Sequence, residues 1–107
     1  MIRQISAAAL KTRLEAAKDA PFLLDVRERQ EFAYCRIDGS VSIPLGELPA
    51  RTQELPAGRE IVAICHHGTR SFQAAAFLGQ TLGLQVTNLQ GGVAAWARDV
   101  DQSMKQY

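Results

Sequence analysis

The sequence predicts an α/β domain in which an open, mostly parallel sheet of five strands is flanked by helices on both faces. Two observations support this prediction. Short β-branched runs alternate along the chain with alanine-rich stretches of helical spacing. The run at residues 60–65, Glu-Ile-Val-Ala-Ile-Cys, has no polar alternation, which is typical of a central parallel strand covered on both faces. With 107 residues and neither repeat nor linker, the chain is expected to form one domain over residues 1–107.

The predicted elements follow one another as short apolar strands and amphipathic helices. The strands are assigned to residues 2–5, 22–25, 41–43, 60–65 and 86–89. The helices are assigned to residues 7–17, 28–34, 45–55, 71–82 and 93–98, and the third of them is expected to break or start near Pro49. Ser6 is the expected N-cap of the first helix, Pro44 closes the third strand and Gly83 ends the fourth helix. The apolar face of the first helix consists of Ala7, Leu10, Leu14 and Ala17. The polar residues after the last helix are expected to form a docked or loose tail.

The composition excludes several classes of protein. Twelve Lys and Arg residues against eleven Asp and Glu residues leave a formal net charge of +1, so no general positive field is available to hold nucleic acid or an anionic membrane. Two cysteines are too few for a disulfide scaffold, and a reduced compartment is expected. The first residues lack a secretory signal, and no apolar run approaches the roughly 20 residues that cross a bilayer. A soluble, cytoplasmic protein is therefore expected.

The segment after the most apolar strand contains the candidate nucleophile. Cys65 ends this strand and Ser71, an N-cap type of residue, begins the next helix, so the residues between them turn at the carboxyl edge of the sheet, where such folds bind ligands. If this loop wraps over the sulfur, its backbone N–H groups and those of the helix N-terminus form a nest for negative charge. Arg70, together with His66 or His67, adds positive charge, and thiolates are favoured in such surroundings. These features predict that Cys65 is a nucleophile.

Two other interpretations of this segment are open at this point. Cys65 is alternatively an inert core cysteine at a strand end, as most buried cysteines are. A metal site is the second alternative, because Cys65, His66 and His67 are all ligand types, yet neighbours in a tight loop rarely point at one ion and the chain has no C-x-x-C pair. Gly68, in the middle of the loop, is expected to need a positive φ or a close backbone approach. A cysteine followed by a glycine-containing polar loop and a cation favours catalysis without a metal.

Five segments of the chain resemble the rhodanese sulfurtransferases, and together they extend along nearly its whole length. They lie at residues 25–32, 37–44, 65–71, 89–96 and 99–107. The first contains Asp-Val-Arg followed by Glu-Phe, similar to the family's D-V-R-x-x-x-E-[FY] pattern, and the second contains Ile-Asp-Gly-Ser followed by Ile-Pro. The third, Cys-His-His-Gly-Thr-Arg-Ser, is similar to the active-site loop, and the fourth, Leu-Gln-Gly-Gly-Val-Ala-Ala-Trp, to the closing L-x-G-G-[VI]-x-A-W segment. The resemblance implies a rhodanese-like α/β fold.

The resemblance also implies a thiosulfate sulfurtransferase that works without a cofactor. Cys65 would take a sulfur atom from a small anionic donor such as thiosulfate, or from a persulfide, and hold it as a persulfide until a thiol or cyanide acceptor removes it. The loop N–H groups and the loop arginine would stabilise the donor and the departing sulfite. The active-site loop that binds these substrates consists of His66, His67, Gly68, Thr69, Arg70 and Ser71. The two histidines are assigned to donor or acceptor recognition and not to proton transfer.

Two alternative functions remain open. In the first, the domain is a sulfur-relay or interaction module that a partner protein loads with persulfide, and thiosulfate is only an assay substrate. In the second, it is a phosphatase or arsenate reductase, but those enzymes use C-x-x-x-x-x-R, a wider ring of N–H groups suited to a tetrahedral oxyanion. Here four residues separate Cys65 from Arg70, so the ring is shorter and sulfur transfer is preferred.

Cys35 and Arg36 depart from the resemblance, since the family usually has Gly-His at these positions. Cys35 shortly precedes the predicted third strand, whereas Cys65 ends its own strand. A parallel sheet is therefore expected to place the two thiols toward opposite edges, without a disulfide. Cys35 is interpreted as structural.

Other residues in the resembling segments are also interpreted as structural. The resemblance implies that Asp25 and Arg27 hold a strand end beside the loop and do not act as acid or base. Trp96 is expected to bury its ring on the inner face of the last helix. The pair Gly91-Gly92 is expected to permit a close approach of two chain segments.

Overall fold

The computed structural model describes residues 2–16 and 18–107, and the predicted helical position Ala17 lies outside the described residues. The strands are β1 (Arg3–Ile5), β2 (Phe22–Asp25), β3 (Val41–Ser42), β4 (Ile61–Ile64) and β5 (Val86–Leu89). The α-helices are α1 (Ala7–Glu15), α2 (Arg29–Tyr34), α3 (Thr69–Leu82) and α4 (Gly92–Asp99). Two short 3-10 helices, Leu45–Ala50 and Thr52–Glu54, lie between β3 and β4.

One sheet contains the five strands in the order β1-β5-β4-β2-β3, and every neighbouring pair is parallel. The centre of the sheet is β4, as its unbroken apolar run predicts. Helices α1 and α4 pack on one face, and α3 with the first 3-10 helix packs on the other. The predicted fold class is thus confirmed, and the sheet is entirely parallel. No helix within the described ranges is long and apolar enough to cross a membrane.

Each face of the sheet carries its own buried cluster. On the α1 and α4 face, the cluster includes Leu10, Leu23, Val62, Ile64, Leu89, Val93 and Trp96. On the α3 face, it includes Leu24, Val26, Ile43, Leu48, Ile61, Ala63, Cys65 and Leu78. Successive residues of β4 alternate between the two clusters, because side chains along a strand point to opposite faces. A strand with two buried faces therefore needs an apolar residue at every position. Trp96 packs into the cluster on the α1 and α4 face, as predicted.

Helix α3 and the segment at residues 45–55 depart from their sequence-based assignment in ways that bear on the site and the core. Helix α3 begins at Thr69, before Ser71, because Gly68 adopts a φ of +105° and leads the loop directly into the helix. Ser71 is therefore not an N-cap and lies buried in the first turn. The positive φ expected of Gly68 is confirmed. The helix assigned to residues 45–55 is a pair of 3-10 helices, and the break expected near Pro49 falls two residues later, at Arg51. The first of the two contains Pro49, a residue that cannot donate an α-helical hydrogen bond.

The segment after α4 forms a docked tail. The backbone N–H of Met104 donates to the carbonyl oxygen of Asp101 at 3.0 Å. The Asp101 carboxylate accepts from the backbone N–H of Ser103 at 3.1 Å. Val100 and Met104 pack against the cluster on the α1 and α4 face. Of the two forms that the sequence left open for the tail, the structure contains the docked one.

Candidate active site

Cys65 follows the last residue of β4 and has 1% of its surface exposed. Its Sγ accepts a hydrogen bond from the backbone N–H of Gly68 at 3.0 Å. The hydroxyl oxygen of Ser71, from the first turn of α3, lies 3.3 Å from the same sulfur. The loop thus turns a backbone N–H and a hydroxyl toward the thiol, and such groups stabilise negative charge on sulfur.

Asn88 orients the Ser71 hydroxyl, a role that the sequence analysis missed. Its Nδ2 donates to the carbonyl oxygen of Gly68 at 3.1 Å and to Oε1 of Gln4 at 2.9 Å. These bonds turn Oδ1 toward Ser71, whose hydroxyl donates to it. Because a hydroxyl has one proton, Ser71 donates either to Asn88 or to the sulfur of Cys65. The one sequence signal for this contact is a polar amide inside a buried strand.

The start of α4 holds the carbonyl groups of the loop. The N–H groups of Val93 and Ala94 donate to the carbonyl oxygens of Cys65 and His66 at 2.9 and 3.1 Å. The first N–H groups of a helix have no partner inside the helix, and the loop supplies one here. Gly92 has a φ of +59°, and a Cβ at this position would overlap both carbonyl oxygens. The close chain approach predicted for the glycine pair is confirmed at Gly92.

Arg70 forms a bidentate ion pair with Glu31. Its Nη1 and Nη2 donate to the two carboxylate oxygens of Glu31 at 2.7 and 3.0 Å. The hydrogen bonds from Arg70 lower the pKa of Glu31 to about 2, although partial burial opposes this change. The same hydrogen bonds raise the pKa of Arg70. The local positive charge predicted for the loop is therefore compensated by a carboxylate from α2, a pairing that the sequence analysis did not find.

Asp25 and Arg27 form a buried ion pair behind the loop. Neither side chain is exposed, and Arg27 Nη2 lies 2.7 Å from Asp25 Oδ2. The same nitrogen donates to the carbonyl oxygen of Cys35 at 2.6 Å. Burial opposes the charge of Arg27, but the hydrogen bond to Asp25 is among the contacts that leave its pKa raised. The contacts agree with a structural role, because the pair ties the end of β2 to the chain after α2.

Tyr107, at the end of the described tail, lies against this cluster. Its hydroxyl donates to Oε2 of Glu31 at 2.9 Å and accepts from Nη1 of Arg27 at 2.9 Å. Its ring stacks on the imidazole of His66 with a centroid distance of 3.9 Å and an interplanar angle of 10°. Burial is the main cause that raises the pKa of Tyr107 to about 12. No local pattern in the sequence predicts this contact, because it joins residues far apart in the chain.

The ring of Tyr107 covers His66. The burial of His66 lowers the pKa of its imidazole, and the nearby His67 lowers that pKa further. We expect Tyr107→Ala to raise the pKa of His66 toward its ordinary value of about 6.5, because the substitution removes the covering ring and leaves the backbone. An NMR titration of the His66 ring protons measures this change. Tyr107→Phe, which keeps the ring, is the control and is expected to leave the value unchanged. Equal pKa values in the Ala and Phe variants would contradict the covering role.

The predicted position of Cys35 is wrong. β3 is short, and its first residue, Val41, pairs with Leu24 near the carboxyl end of β2. The chain before β3 therefore already lies at the carboxyl edge, and Nη1 of Arg27 is 3.7 Å from Cys35 Sγ. Both cysteines are free, as expected.

The remaining loop residues border an open groove beside the cysteine. His67, Gly68 and Thr69 line it together with Phe72 of α3 and Asn88 of β5. Across the described part of the chain, no group of three or more His, Cys, Asp or Glu side chains is arranged to hold a metal ion. The loop thus places the backbone N–H of Gly68 beside the thiol on one side and borders an open groove on the other.

The fold and the site together define a class of protein. It is a fully parallel α/β domain in which the loop after the central strand folds over a cysteine. The chain belongs to the rhodanese-like domain family, because residues 6–99 match the family described as Rhodanese-like domain. The resemblance seen in the sequence is thereby confirmed.

Relatives of the chain match it along most of its length. A sulfurtransferase of Allochromatium vinosum is 38% identical over 98 residues, which cover 92% of this chain and 91% of that protein. An adenylyltransferase and sulfurtransferase of Yarrowia lipolytica is 36% identical over 88 residues, which cover 79% of this chain and 22% of that protein. The crystal structure of a rhodanese-related protein from Thermoplasma volcanium has a TM-score of 0.82 at 36% identity and covers 92% of this chain and 93% of that one.

Proposed function

We propose that this protein is a sulfurtransferase that moves sulfane sulfur from thiosulfate or a persulfide donor to a thiol or cyanide acceptor through a persulfide on Cys65. The observation that carries the proposal is the backbone N–H of Gly68, 3.0 Å from Cys65 Sγ, in the loop that follows the central strand. The relative from Allochromatium vinosum, which is named a sulfurtransferase, supports the proposal at 38% identity.

The reaction consists of two displacements at sulfur. In the first, the Cys65 thiolate attacks the outer sulfur of thiosulfate, the S–S bond of the donor breaks, and sulfite leaves with the electron pair. In the second, a thiolate or cyanide acceptor attacks the terminal sulfur of the persulfide, and the Cys65 thiolate leaves. Charge and electrons balance with these reactants alone, so the proposal includes no cofactor.

The active-site loop supplies groups that stabilise the charge on sulfur during both displacements. The N–H of Gly68 faces the sulfur atom that loses or regains the charge. The hydroxyl of Ser71 lies within reach of both Asn88 and Cys65, so its one proton can turn to the sulfur when the thiolate forms. The other residues of the loop are proposed to recognise donor and acceptor: His66, His67, Thr69 and Arg70.

A sulfur-relay module loaded by a partner protein is the second candidate function. The ion pair between Arg70 and Glu31 favours it, because a paired arginine attracts a small dianion less than a free one does. The Yarrowia lipolytica relative, in which the matching segment is 22% of a longer adenylyltransferase and sulfurtransferase, also supports it. Rapid loading of Cys65 from a protein persulfide, with negligible turnover of thiosulfate, would favour this candidate.

We also propose that the protein lies in the cytoplasm. Its two free cysteines suit a reducing compartment of this kind.

Mass spectrometry of the intact protein after incubation with thiosulfate tests the proposed intermediate. We expect the mass of one added sulfur atom, removed by cyanide and located on Cys65 by peptide mapping. Cys35→Ser is the control variant, because it removes the other thiol and is expected to load normally. Sulfur on Cys35 alone, or loading that Cys35→Ser abolishes, would contradict the assignment to Cys65.

A further inference from the structure

We infer that Glu31 determines which sulfur donors the site prefers. By neutralising the loop arginine, it favours donors with one negative charge, namely persulfides and thiosulfonates, over the thiosulfate dianion. This inference rests on the proposed function and names its donor class.

Two cations and two anions surround the loop in fixed pairs. Arg70 donates to Glu31 at 2.7 and 3.0 Å, and Arg27 lies 2.7 Å from Asp25. These four side chains together have no net charge. Once Cys65 ionises, the site therefore carries one net negative charge. A dianion entering it is repelled about twice as strongly as a monoanion, because the Coulomb energy is proportional to the charge.

Two further basic side chains near Tyr107, those of His66 and Lys105, do not offset the negative charge of the Cys65 thiolate. Burial lowers the pKa of His66, which disfavours the charged form of its imidazole. The ammonium of Lys105 lies over the ring of Tyr34, 5.4 Å from the centroid, and its side chain is exposed. Water and salt screen an exposed charge of this kind. The donor thus approaches a site whose two guanidinium groups are both already paired.

Glu31 is held more firmly than an ordinary surface carboxylate. Its Oε1 accepts from the backbone N–H of Glu28, and its Oε2 accepts from the hydroxyl of Tyr107, both at 2.9 Å. The hydroxyl of Tyr107 in turn accepts from the buried Arg27. An anionic donor that binds Arg70 must therefore compete with the carboxylate of Glu31. This carboxylate is held by Arg70, by Tyr107 and by the backbone N–H of Glu28. A donor that does not depend on Arg70 avoids this competition.

Methanethiosulfonate is the probe that matches thiosulfate except for its charge. A methyl group replaces one charged oxygen, and the reacting S–S bond is retained. The thiolate of Cys65 attacks the outer sulfur, the S–S bond breaks, and methanesulfinate leaves with the electron pair. The persulfide formed is the same one that thiosulfate yields. The two donors differ in intrinsic reactivity, so the informative quantity is the change in their ratio on substitution.

The experiment compares the full chain with its Glu31→Gln variant, using cyanide as the acceptor. In two-step transfer, kcat/KM for the donor reports only the loading of Cys65. We expect Glu31→Gln to raise kcat/KM about threefold for methanethiosulfonate and about tenfold for thiosulfate at low salt, because twice the charge doubles the gain in free energy. Glutamine keeps the shape of the side chain and an oxygen that accepts from Arg70.

Glu60→Gln is the matched control for the loss of one carboxylate. Glu60 pairs with Arg13 at 2.6 Å and precedes β4, whereas Cys65 follows it. Five residues of extended chain place it roughly 16 Å from the thiol. We expect this variant to leave kcat/KM unchanged for both donors.

The outcomes separate the inference from the proposed function. If the unsubstituted protein loads sulfur from neither donor, the proposed function is wrong. If it loads sulfur but Glu31→Gln changes both donors equally, or neither, the inference about Glu31 is wrong. Should this variant not fold, the salt dependence of the unsubstituted protein decides. Added salt is expected to raise kcat/KM more for thiosulfate than for methanethiosulfonate, and equal responses would overturn the inference.

Discussion

Replacement of Cys65 by serine is expected to lower the rate of thiocyanate formation from thiosulfate and cyanide by more than about 10³-fold. A serine hydroxyl is not ionised near neutral pH, and without the sulfur atom no persulfide can form. The N–H of Gly68 then faces an oxygen that cannot accept the transferred sulfur. Initial rates at saturating cyanide measure the loss, and mass spectrometry is expected to find no added sulfur on the variant.

The fold is expected to survive this substitution. Cys65 is buried, but the hydrogen-bond donors at Gly68 and Ser71 provide partners for an oxygen at the same place. The free energy of unfolding is expected to change by about 1 kcal/mol, which thermal unfolding followed by circular dichroism measures. A folded Cys65→Ser variant that retains a tenth of the activity would place the nucleophile elsewhere.

Much of the fold can be predicted from the sequence, because the signals for its helices and strands come from residues that are close together in the chain. β5 occupies the residues assigned to it, and β4 lies within the apolar run that marks the centre of the sheet. Ser6 caps α1 by accepting from the backbone of Ala9, and Gly83 ends α3 in the left-handed conformation. Each of these features depends on residues a few positions apart, and propensity and periodicity describe such residues well.

The contacts that define the charge of the site cannot be predicted from such local signals. Arg70 and Glu31 are 39 positions apart, and the tail residue Tyr107 is 80 positions from Arg27. A pattern within one element says nothing about which distant side chain reaches it. The loop around Cys65 is therefore recognisable in the sequence, whereas the carboxylate that pairs with its arginine is not.

The error about Cys35 has a different physical cause. The sequence indicates which residues form each strand but not the register in which neighbouring strands pair. The expected separation of Cys35 from Cys65 requires the third strand to begin at the amino edge of the sheet. Its first residue instead pairs near the carboxyl end of β2. A strand of two residues leaves the preceding chain beside the active site.

Gly92→Ala is expected to destabilise the protein and to disrupt the active-site loop. An added Cβ would overlap the carbonyl oxygens of Cys65 and His66, and the φ of +59° is unfavourable for alanine. The backbone strain, the overlap and the loss of the hydrogen bonds from Val93 and Ala94 together predict a loss of about 4 kcal/mol in the free energy of unfolding. Denaturant titration measures this loss, and the midpoint of thermal unfolding is expected to fall by roughly 15 °C or more.

The same substitution is expected to lower sulfur transfer by about 10²-fold in the fraction that remains folded. The carbonyl group of Cys65 must move to admit the new methyl group, and the sulfur moves with it, away from the N–H of Gly68. Displacements of about 1 Å at a reacting group have effects of this size. Initial rates at a temperature well below the unfolding transition measure the effect.

Gly58→Ala is the matched control, because Gly58 also has a positive φ, +70°, but a Cβ there would meet no heavy atom within 4 Å. This variant isolates the cost of backbone strain, about 1 kcal/mol, and is expected to transfer sulfur at the normal rate. If Gly92→Ala lost no more stability than Gly58→Ala and kept its activity, the start of α4 would not be what holds the loop. A larger loss in both measurements for Gly92→Ala alone supports the view that two hydrogen bonds from one helix start fix the position of the cysteine.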